Sequence, residues 1–166
     1  MISPDAFQEL FAFHCWARDQ QFEACTDLSD EQFNRSLGGS HPSLRETLFH
    51  LYLAEWVWPE FWCGNRITKV PDGKDYSTVE SLREAMGRIE TGTRELLSNL
   101  NEENLASEFS HPEIEGELES CPFWKSLYHF LNHQSYHRGQ VTDKLRQLGV
   151  KPPAIDFVNN FLPSQK

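Results

Sequence analysis

Residues 122–149, PFWKSLYHFLNHQSYHRGQVTDKLRQLG, contain the pattern that decides the fold. Pro122 stands where a helix tolerates proline in its first turn, and Gly149 is a stop signal. Between them apolar residues recur at the three- and four-residue spacing of one buried helix face: Phe123, Leu127, Phe130, Leu131, Val141, Leu145 and Leu148. The stretch therefore predicts one long amphipathic helix.

The N-terminal half of the chain predicts two further helices. Ser3 is a cap residue followed by Pro4, and an apolar stripe continues from there to about Thr26. Ser43 begins the second helix, since a Glu three residues later completes a capping box. Pro59 is expected to kink or end this second helix, and Gly64-Asn65 closes it.

A third helix and an acidic connection precede the long helix. Ser77 and Glu80 have capping-box spacing, so we expect the third helix to begin there. Residues 101–120 contain seven Glu and no Lys or Arg, and residues 113–119 alternate with period two around a glycine. That pattern predicts an extended excursion or short hairpin, either as a solvated connection or as an acidic contact surface for a partner. The fold class is thus all-α, a four-helix bundle with a short extended excursion between helices 3 and 4.

Length and charge exclude several classes of protein. A chain of 166 residues suits one domain over residues 1–166, and a net charge of −10 disfavours nucleic-acid binding. Mean hydropathy is −0.58, and no apolar run is long enough for a membrane span. The N-terminus has no pattern of an export signal, so we expect a cytoplasmic protein whose four cysteines are reduced and mostly buried.

Three histidines of the long helix follow one another at four-residue spacing, which puts their side chains on one helical face. His137 lies next to the apolar stripe, His133 at its border, and His129 is rotated further toward solvent. The position favours His133 and His137 as a pair that chelates one metal ion. Such a pair alone is a weak signal, because surface histidines also recur at this spacing.

On the second helix, His50 is expected to face the interior of the bundle. An inward histidine is commonly a hydrogen-bonded core residue. A third imidazole on a neighbouring helix would, however, complete three nitrogen ligands for a divalent ion and leave a position open for water or substrate.

Other polar residues allow competing interpretations. Arg138 projects onto the apolar stripe and needs a carboxylate or several carbonyl acceptors. Glu55 is its candidate partner, with orientation of a ligand histidine or general-base duty as alternatives. His14 is expected to be a satisfied core histidine rather than a group near the metal. His41 and His111 each precede a proline in a loop, and we assign them no role.

The sequence resembles the DinB-like metalloprotein superfamily over nearly its whole length. The resemblance is specific in residues 132–140, followed by 145–149, Pro152 and Asp156. Residues 48–51 with Glu55 and Trp58, and Trp16-Ala17 in the first helix, resemble further motifs of that family.

The resemblance implies a four-helix bundle that binds one nickel, zinc or similar divalent ion per chain. The three histidine ligands map onto His50, His133 and His137. Two positions depart from the family pattern: Tyr136, where a second adjacent histidine is common, and Gln134, where Glu is common. Neither departure removes a ligand, but either can change the surroundings of the metal and hence its acidity.

The function implied is a metal-dependent enzyme that activates a thiol or water for attack on an electrophilic small molecule. The family resemblance implies low-molecular-weight thiol transferases and hydrolases as relatives, and thiol transfer is slightly favoured. No individual residue is assigned a catalytic role. The alternative is a non-catalytic metal-binding or stress-response protein. We also expect a homodimer from the resemblance and from the exposed aromatic content.

Overall fold

Four long helices dominate the chain, joined by shorter elements. A computed structural model describes residues 2–111 and 119–161. In chain order the elements are α1 (Pro4–Ala24), α2 (Asp30–Asn34), α3 (Leu44–Trp62), a 3-10 turn (Gly73–Asp75), α4 (Val79–Ser98), α5 (Glu102–Ala106), β1 (Glu108–His111), β2 (Glu119–Pro122), α6 (Phe123–Gln147) and α7 (Phe157–Phe161). The predicted all-α class, with an extended excursion between the third and fourth long helices, is confirmed.

The ends of the long helices follow their capping chemistry. The Ser43 side chain accepts a hydrogen bond from the backbone N–H of Glu46, whose carboxylate accepts one from the Ser43 N–H. At the end of α6, the Gly149 N–H donates to the Arg146 carbonyl and the Val150 N–H to the Leu145 carbonyl. Gly149 has a φ of 80°, a left-handed conformation that suits glycine because it has no Cβ.

Helix α3 continues through Pro59 to Trp62 and is capped at Cys63, just before the predicted stop at Gly64. A proline this close to the C-terminus removes one hydrogen bond while the last turn still forms around it. Two other predicted boundaries need correction. The cap of α4 is Thr78, which pairs with Ser81, one residue later than predicted. Helix α1 ends at Ala24 rather than near Thr26.

The long helices form a ring in which each contacts two neighbours. Helix α1 packs against α4 and α6, and α3 packs against the same two helices, so α1 and α3 lie diagonally across the bundle. Strands β1 and β2 pair antiparallel, with Glu108 opposite Pro122. Of the predicted alternating segment, residues 113–118 lie outside the described residues.

The interior contains two apolar clusters. One cluster fills the bundle around Phe22, Leu48, Leu82, Val141 and Leu145. The other surrounds the opposite ends of the same helices and consists of Phe7, Phe11, Cys15, Leu97, Leu105, Leu127 and Phe130. Between these clusters along the helices lie buried polar residues: His14, Arg18, Gln21, Glu55, Thr93, Gln134, His137 and Arg138. The bundle therefore has a polar layer at its waist.

The C-terminal tail, the cysteines and the hydropathy of the helices complete the description. Phe157 of α7 packs edge-on against Phe13 with ring centroids 4.9 Å apart, so the tail contacts α1 while part of its apolar surface stays exposed. Two of the four free cysteines, Cys15 and Cys25, are buried, and Cys63 is exposed. Within the described residues, none of the helices combines the length and the hydropathy that crossing a bilayer requires.

Candidate metal centre

Two histidine side chains of one helix lie close to the side chain of His50 on a neighbouring helix. His133 and His137 are one turn apart on α6, and His50 is on the adjacent helix α3. The Nε2 atom of His50 lies 3.2 Å from Nε2 of His133 and 3.1 Å from Nε2 of His137. The structure thus brings together the three residues that the sequence analysis singled out as ligands.

These distances fit a shared metal ion better than a hydrogen-bond network. A neutral imidazole nitrogen has either one N–H or one in-plane lone pair, so His50 Nε2 can make one good hydrogen bond, yet it faces two nitrogens. Tetrahedral ligands at about 2.0–2.1 Å from a zinc-like ion lie about 3.3 Å apart, close to the observed separations. The donor set therefore fits a divalent ion that accepts imidazole nitrogen.

The surroundings keep two of the imidazoles neutral at physiological pH. Burial, followed by the nearby His41, His137 and His133, lowers the pKa of His50 to about 4. Burial, with His137 as the next largest cause, lowers the pKa of His133 to about 4 as well. Because a metal binds the unprotonated nitrogen, these two imidazoles are ready to act as ligands at pH 7.

The Nδ1 atoms of His137 and His133 have different surroundings. Nδ1 of His137 lies 2.9 Å from Oε1 of Gln140, so that Nδ1 carries the proton and Nε2 keeps its lone pair for a metal. Nδ1 of His133 is buried and has no hydrogen-bond partner among the described residues. A metal bound at Nε2 would leave this Nδ1 unsatisfied, so His133 lacks the orienting partner that Gln140 gives to His137.

A fourth histidine, which the sequence analysis left without a role, also belongs to this cluster. The ring of His41 stacks on that of His50 with centroids 4.1 Å apart and an interplanar angle of 23°. Three ring nitrogens, one each from His41, His50 and His137, lie within 4.8 Å of one another. His41 is in the loop between α2 and α3, where helical periodicity gives no information about direction, so the sequence offered no signal for it.

An open cavity borders the cluster. Its volume is about 390 Å3, and its walls include His41, Tyr136 and Gln140 together with the loop at residues 37–40. Tyr136 is 66% exposed, and its ring meets that of His137 edge-on at 5.0 Å. His41 lines this cavity, whereas His50, His133 and His137 do not, so a small molecule in the cavity meets His41 first.

The second departure from the family pattern, Gln134, faces the interior. Its amide nitrogen donates to the Leu51 carbonyl at 3.3 Å, while its Oε1 is buried without a hydrogen-bond partner among the described residues. A neutral amide thus stands where the family pattern favours a carboxylate, and it joins α6 to the backbone of α3.

The proposed pairing of Arg138 with Glu55 is wrong in its direct form. Both oxygens of Glu55 are taken by residues of α1: Oε1 lies 2.9 Å from Nε2 of His14, and Oε2 accepts from Nη1 of Arg18 at 2.8 Å. Arg138 instead contacts His14 Nδ1 at 2.6 Å and donates to Ser135 Oγ. His14 stands between the two charges, a role that projection of separate helices could not reveal.

The contacts of His14 fix its protonation. Nδ1 faces a guanidinium, which has only N–H donors, so Nδ1 must accept and the proton sits on Nε2, facing Glu55. Burial lowers the pKa of His14 despite the opposing effect of Glu55, consistent with a neutral ring. His14 is thus the satisfied core histidine that we predicted.

Glu55 is the buried anion of this network and has no contact with the three candidate ligands. It is 2% exposed, and Arg18, its guanidinium partner, also contacts Glu90 of α4 at 2.5 Å. Burial alone would raise the pKa of Glu55, but its contacts with His14 and Arg18 outweigh burial and lower that pKa. The geometry supports a structural ion pair rather than general-base chemistry.

His129, the third histidine of the α6 row, lies at the outer edge of the cluster, with its ring centroid 6.0 Å from that of His133. Its side chain is exposed, and its ring packs 5.1 Å from that of Trp58. This agrees with the preference for His133 and His137 over His129. It also makes His129 a matched control for substitutions on the same helix.

Comparison with known proteins identifies the class of this histidine-bearing bundle. The sequence profile of the DinB family matches residues 1–164. The chain belongs to the DinB family.

Relatives of the chain are similar over nearly their full length. Protein DinB of Bacillus subtilis (strain 168) is 24% identical over 163 residues, which cover 94% of this chain and 93% of that protein. The uncharacterized protein YizA of the same organism is also 24% identical, over 93% of this chain and 95% of its own length. A crystal structure of a DinB-like protein from Bacillus cereus ATCC 10987 has the same fold, with a TM-score of 0.72, 18% identity and coverage of 92% of this chain and 97% of that one.

Replacing the buried anion tests the network that joins the helices. Glu55→Gln leaves the Arg18 guanidinium buried without its main counter-charge, and we expect it to reduce the free energy of unfolding by about 3–5 kcal/mol. Urea denaturation at pH 7 measures this loss. The control is Glu31→Gln, which removes an exposed pair with Arg35 and should cost less than about 0.5 kcal/mol. Equal effects of the two substitutions would contradict a central role for Glu55.

The same variant should change the acid dependence of stability. Because the pKa of Glu55 is lowered by folding, its contribution is present above the unfolded pKa of about 4.3 and is lost as pH falls through the folded pKa. Denaturation below pH 5 should therefore be less steeply pH-dependent in Glu55→Gln than in the wild type.

Proposed function

We propose that the chain binds one divalent metal ion through His50, His133 and His137, and that the ion serves a metal-dependent reaction on a small molecule. The observation that carries the proposal is the position of His50 Nε2, which lies 3.2 Å from Nε2 of His133 and 3.1 Å from Nε2 of His137. Membership of the DinB family and the match of these residues to its motifs support the same assignment.

A different set of three is the main competitor for the metal. His41, His50 and His137 also have nitrogens within 4.8 Å of one another. We favour His133 over His41 because His133 shares a long helix with His137 and its Nε2 lies 3.2 Å from Nε2 of His50. A position on a long helix fixes a ligand better than one in a loop.

Nickel and zinc are the ions that we propose first. Three imidazoles suit both, since nitrogen ligands of intermediate softness bind the later divalent transition metals well. Oxygen-seeking ions such as magnesium and calcium fit this donor set poorly.

When bound, the ion supplies Lewis acidity, which promotes loss of a proton from a thiol or water near neutral pH. The chain contributes neutral imidazoles, so that none of the ion's charge is cancelled by a ligand. Gln140 holds His137 in the tautomer that offers Nε2. The neighbouring cavity of about 390 Å3 accommodates a small substrate.

The chemical class that we propose is transfer of a low-molecular-weight thiol to an electrophilic small molecule, with hydrolysis as the second enzymatic candidate. The alternative from another class is a metal-binding or stress-response protein without catalysis. The cavity beside the histidines favours an enzyme, because a purely structural site has no need of access for small molecules.

Metal content tests the ligand assignment. Purified wild-type protein should bind one nickel or zinc ion per chain, and His50→Ala, His133→Ala or His137→Ala should each lower the content well below one. Elemental analysis after dialysis measures it. His129→Ala, which removes an exposed histidine from the same helix, should keep full stoichiometry. Unchanged binding in His133→Ala and His137→Ala would refute the assignment.

Activity tests the reaction class. The metal-loaded protein should accelerate attack of a small cellular thiol on an epoxide or haloalkane, and both chelation and His50→Ala should abolish the acceleration. Hydrolysis would proceed without added thiol, so ester and amide substrates in the same panel separate the two reactions. No metal-dependent turnover in any of these assays would favour the non-catalytic alternative.

We also propose that the protein forms a homodimer. Exposed aromatic residues on α6 and α7, among them Tyr128 and Phe161, offer apolar surface for a two-fold contact. Light scattering at tens of micromolar protein should give twice 19.3 kDa. A mass of one chain under these conditions would exclude the dimer.

A further inference from the structure

The loop that carries His41 is built differently from the helices that carry the other three histidines. The Leu37 N–H donates to the Pro42 carbonyl at 2.7 Å, which closes a short loop. Inside it, Gly38 and Gly39 have φ values of 84° and 86°, conformations that other residues rarely adopt. The loop is attached to α6 by a hydrogen bond from Lys144 Nζ to the Gly38 carbonyl at 3.3 Å.

His41 reaches from this loop to the open side of the histidine cluster. Its ring lies over His50, and its centroid is 5.6 Å from that of His137. It also lines the neighbouring cavity, together with Tyr136 and Gln140. His41 therefore stands between the candidate metal ligands and the space from which a small molecule would approach.

We propose that His41 is a displaceable fourth ligand, which closes the metal site at rest and leaves it when an incoming thiol or anion takes its place. The proposal rests on the metal site proposed for His50, His133 and His137. One nitrogen of His41 is within 4.8 Å of nitrogens of both His50 and His137, so a small shift of the loop brings it to ligand separation.

The difference in attachment explains why His41, rather than another ligand, is the one that exchanges. His50 and the α6 pair are fixed by long helices, and moving any of them would disturb the packing between α3 and α6. His41 is held by the stack on His50 and by short loop contacts, including the bond from Thr47 Oγ1 to its carbonyl at 3.4 Å. The two glycines nearby allow the backbone to rotate at low cost.

Closure of this kind would have a defined consequence for binding. A ligand that must displace His41 binds with an apparent affinity reduced by the fraction of protein in which the position is free. If that fraction is about one tenth, removing the imidazole tightens binding about tenfold. The stack alone, without metal contact, would give no such increase.

The test uses the full-length protein loaded with Co2+, whose visible absorption reports the number and type of ligands. The wild type, His41→Ala and His41→Gln are each titrated with azide and with 2-mercaptoethanol. We expect both variants to retain one Co2+ per chain, to show shifted absorption bands, and to bind both probes on the order of tenfold more tightly. Ser40→Ala, which alters the adjacent loop residue and leaves the imidazole in place, should behave as the wild type does.

The outcomes separate this proposal from the one on which it rests. Probe affinities within twofold of the wild type, with an unchanged spectrum, would overturn the role of His41 and leave the three-histidine site standing. Loss of Co2+ from both His41 variants, with retention in His133→Ala, would overturn it in favour of His41, His50 and His137 as the essential set. Failure of the wild type to bind Co2+, nickel or zinc would overturn both proposals.

Discussion

The carboxylate of Glu55 is the constraint on which the rest of the bundle depends. A buried anion is unfavourable unless it is paired, and its partners here come from a different helix: Arg18 and His14 of α1. Arg18 continues the network to α4 through Glu90, and His14 continues it to α6 through Arg138. All four long helices are therefore joined by one polar layer between two apolar clusters. Apolar contacts tolerate sliding and rotation, whereas this network has one satisfied arrangement.

That arrangement also determines where the candidate metal ligands point. His137 and Arg138 are consecutive on α6 and differ in direction by about 100°. Arg138 is held by His14 of α1, so the rotation of α6 is fixed and His137 must face α3. On α3, the contacts of Glu55 fix the rotation of the helix in the same way. They thereby set the direction of His50, which lies five residues earlier. The polar network thus supports the histidine cluster without contacting it, and the two sites share helices rather than atoms.

The chemistry open to the cluster follows from the kind of ligand it offers, because imidazole binds a metal ion as a neutral group. The protein has a net charge of −10. The candidate ligands are nevertheless imidazoles and not carboxylates, and Nδ1 of His137 contacts the neutral amide of Gln140. An ion held there would keep its full charge, which is the condition for acidifying a thiol or water. His41 adds a ligand whose attachment differs from that of the others, since it depends on a glycine-containing loop instead of a helix.

The sequence by itself determined the four long helices, the excursion before α6, the inward face of His50 and the place of His137 and His133 beside the apolar stripe, because these depend on local periodicity and capping. It left open whether Pro59 would kink α3, and it did not indicate the short helices α2, α5 and α7. The pairing of Glu55 with Arg18, rather than directly with Arg138, and the approach of His41 to His50 were decided by the tertiary structure alone. Both join segments distant in sequence, and the direction of a side chain in a loop or across a bundle is fixed by packing, which no local pattern records.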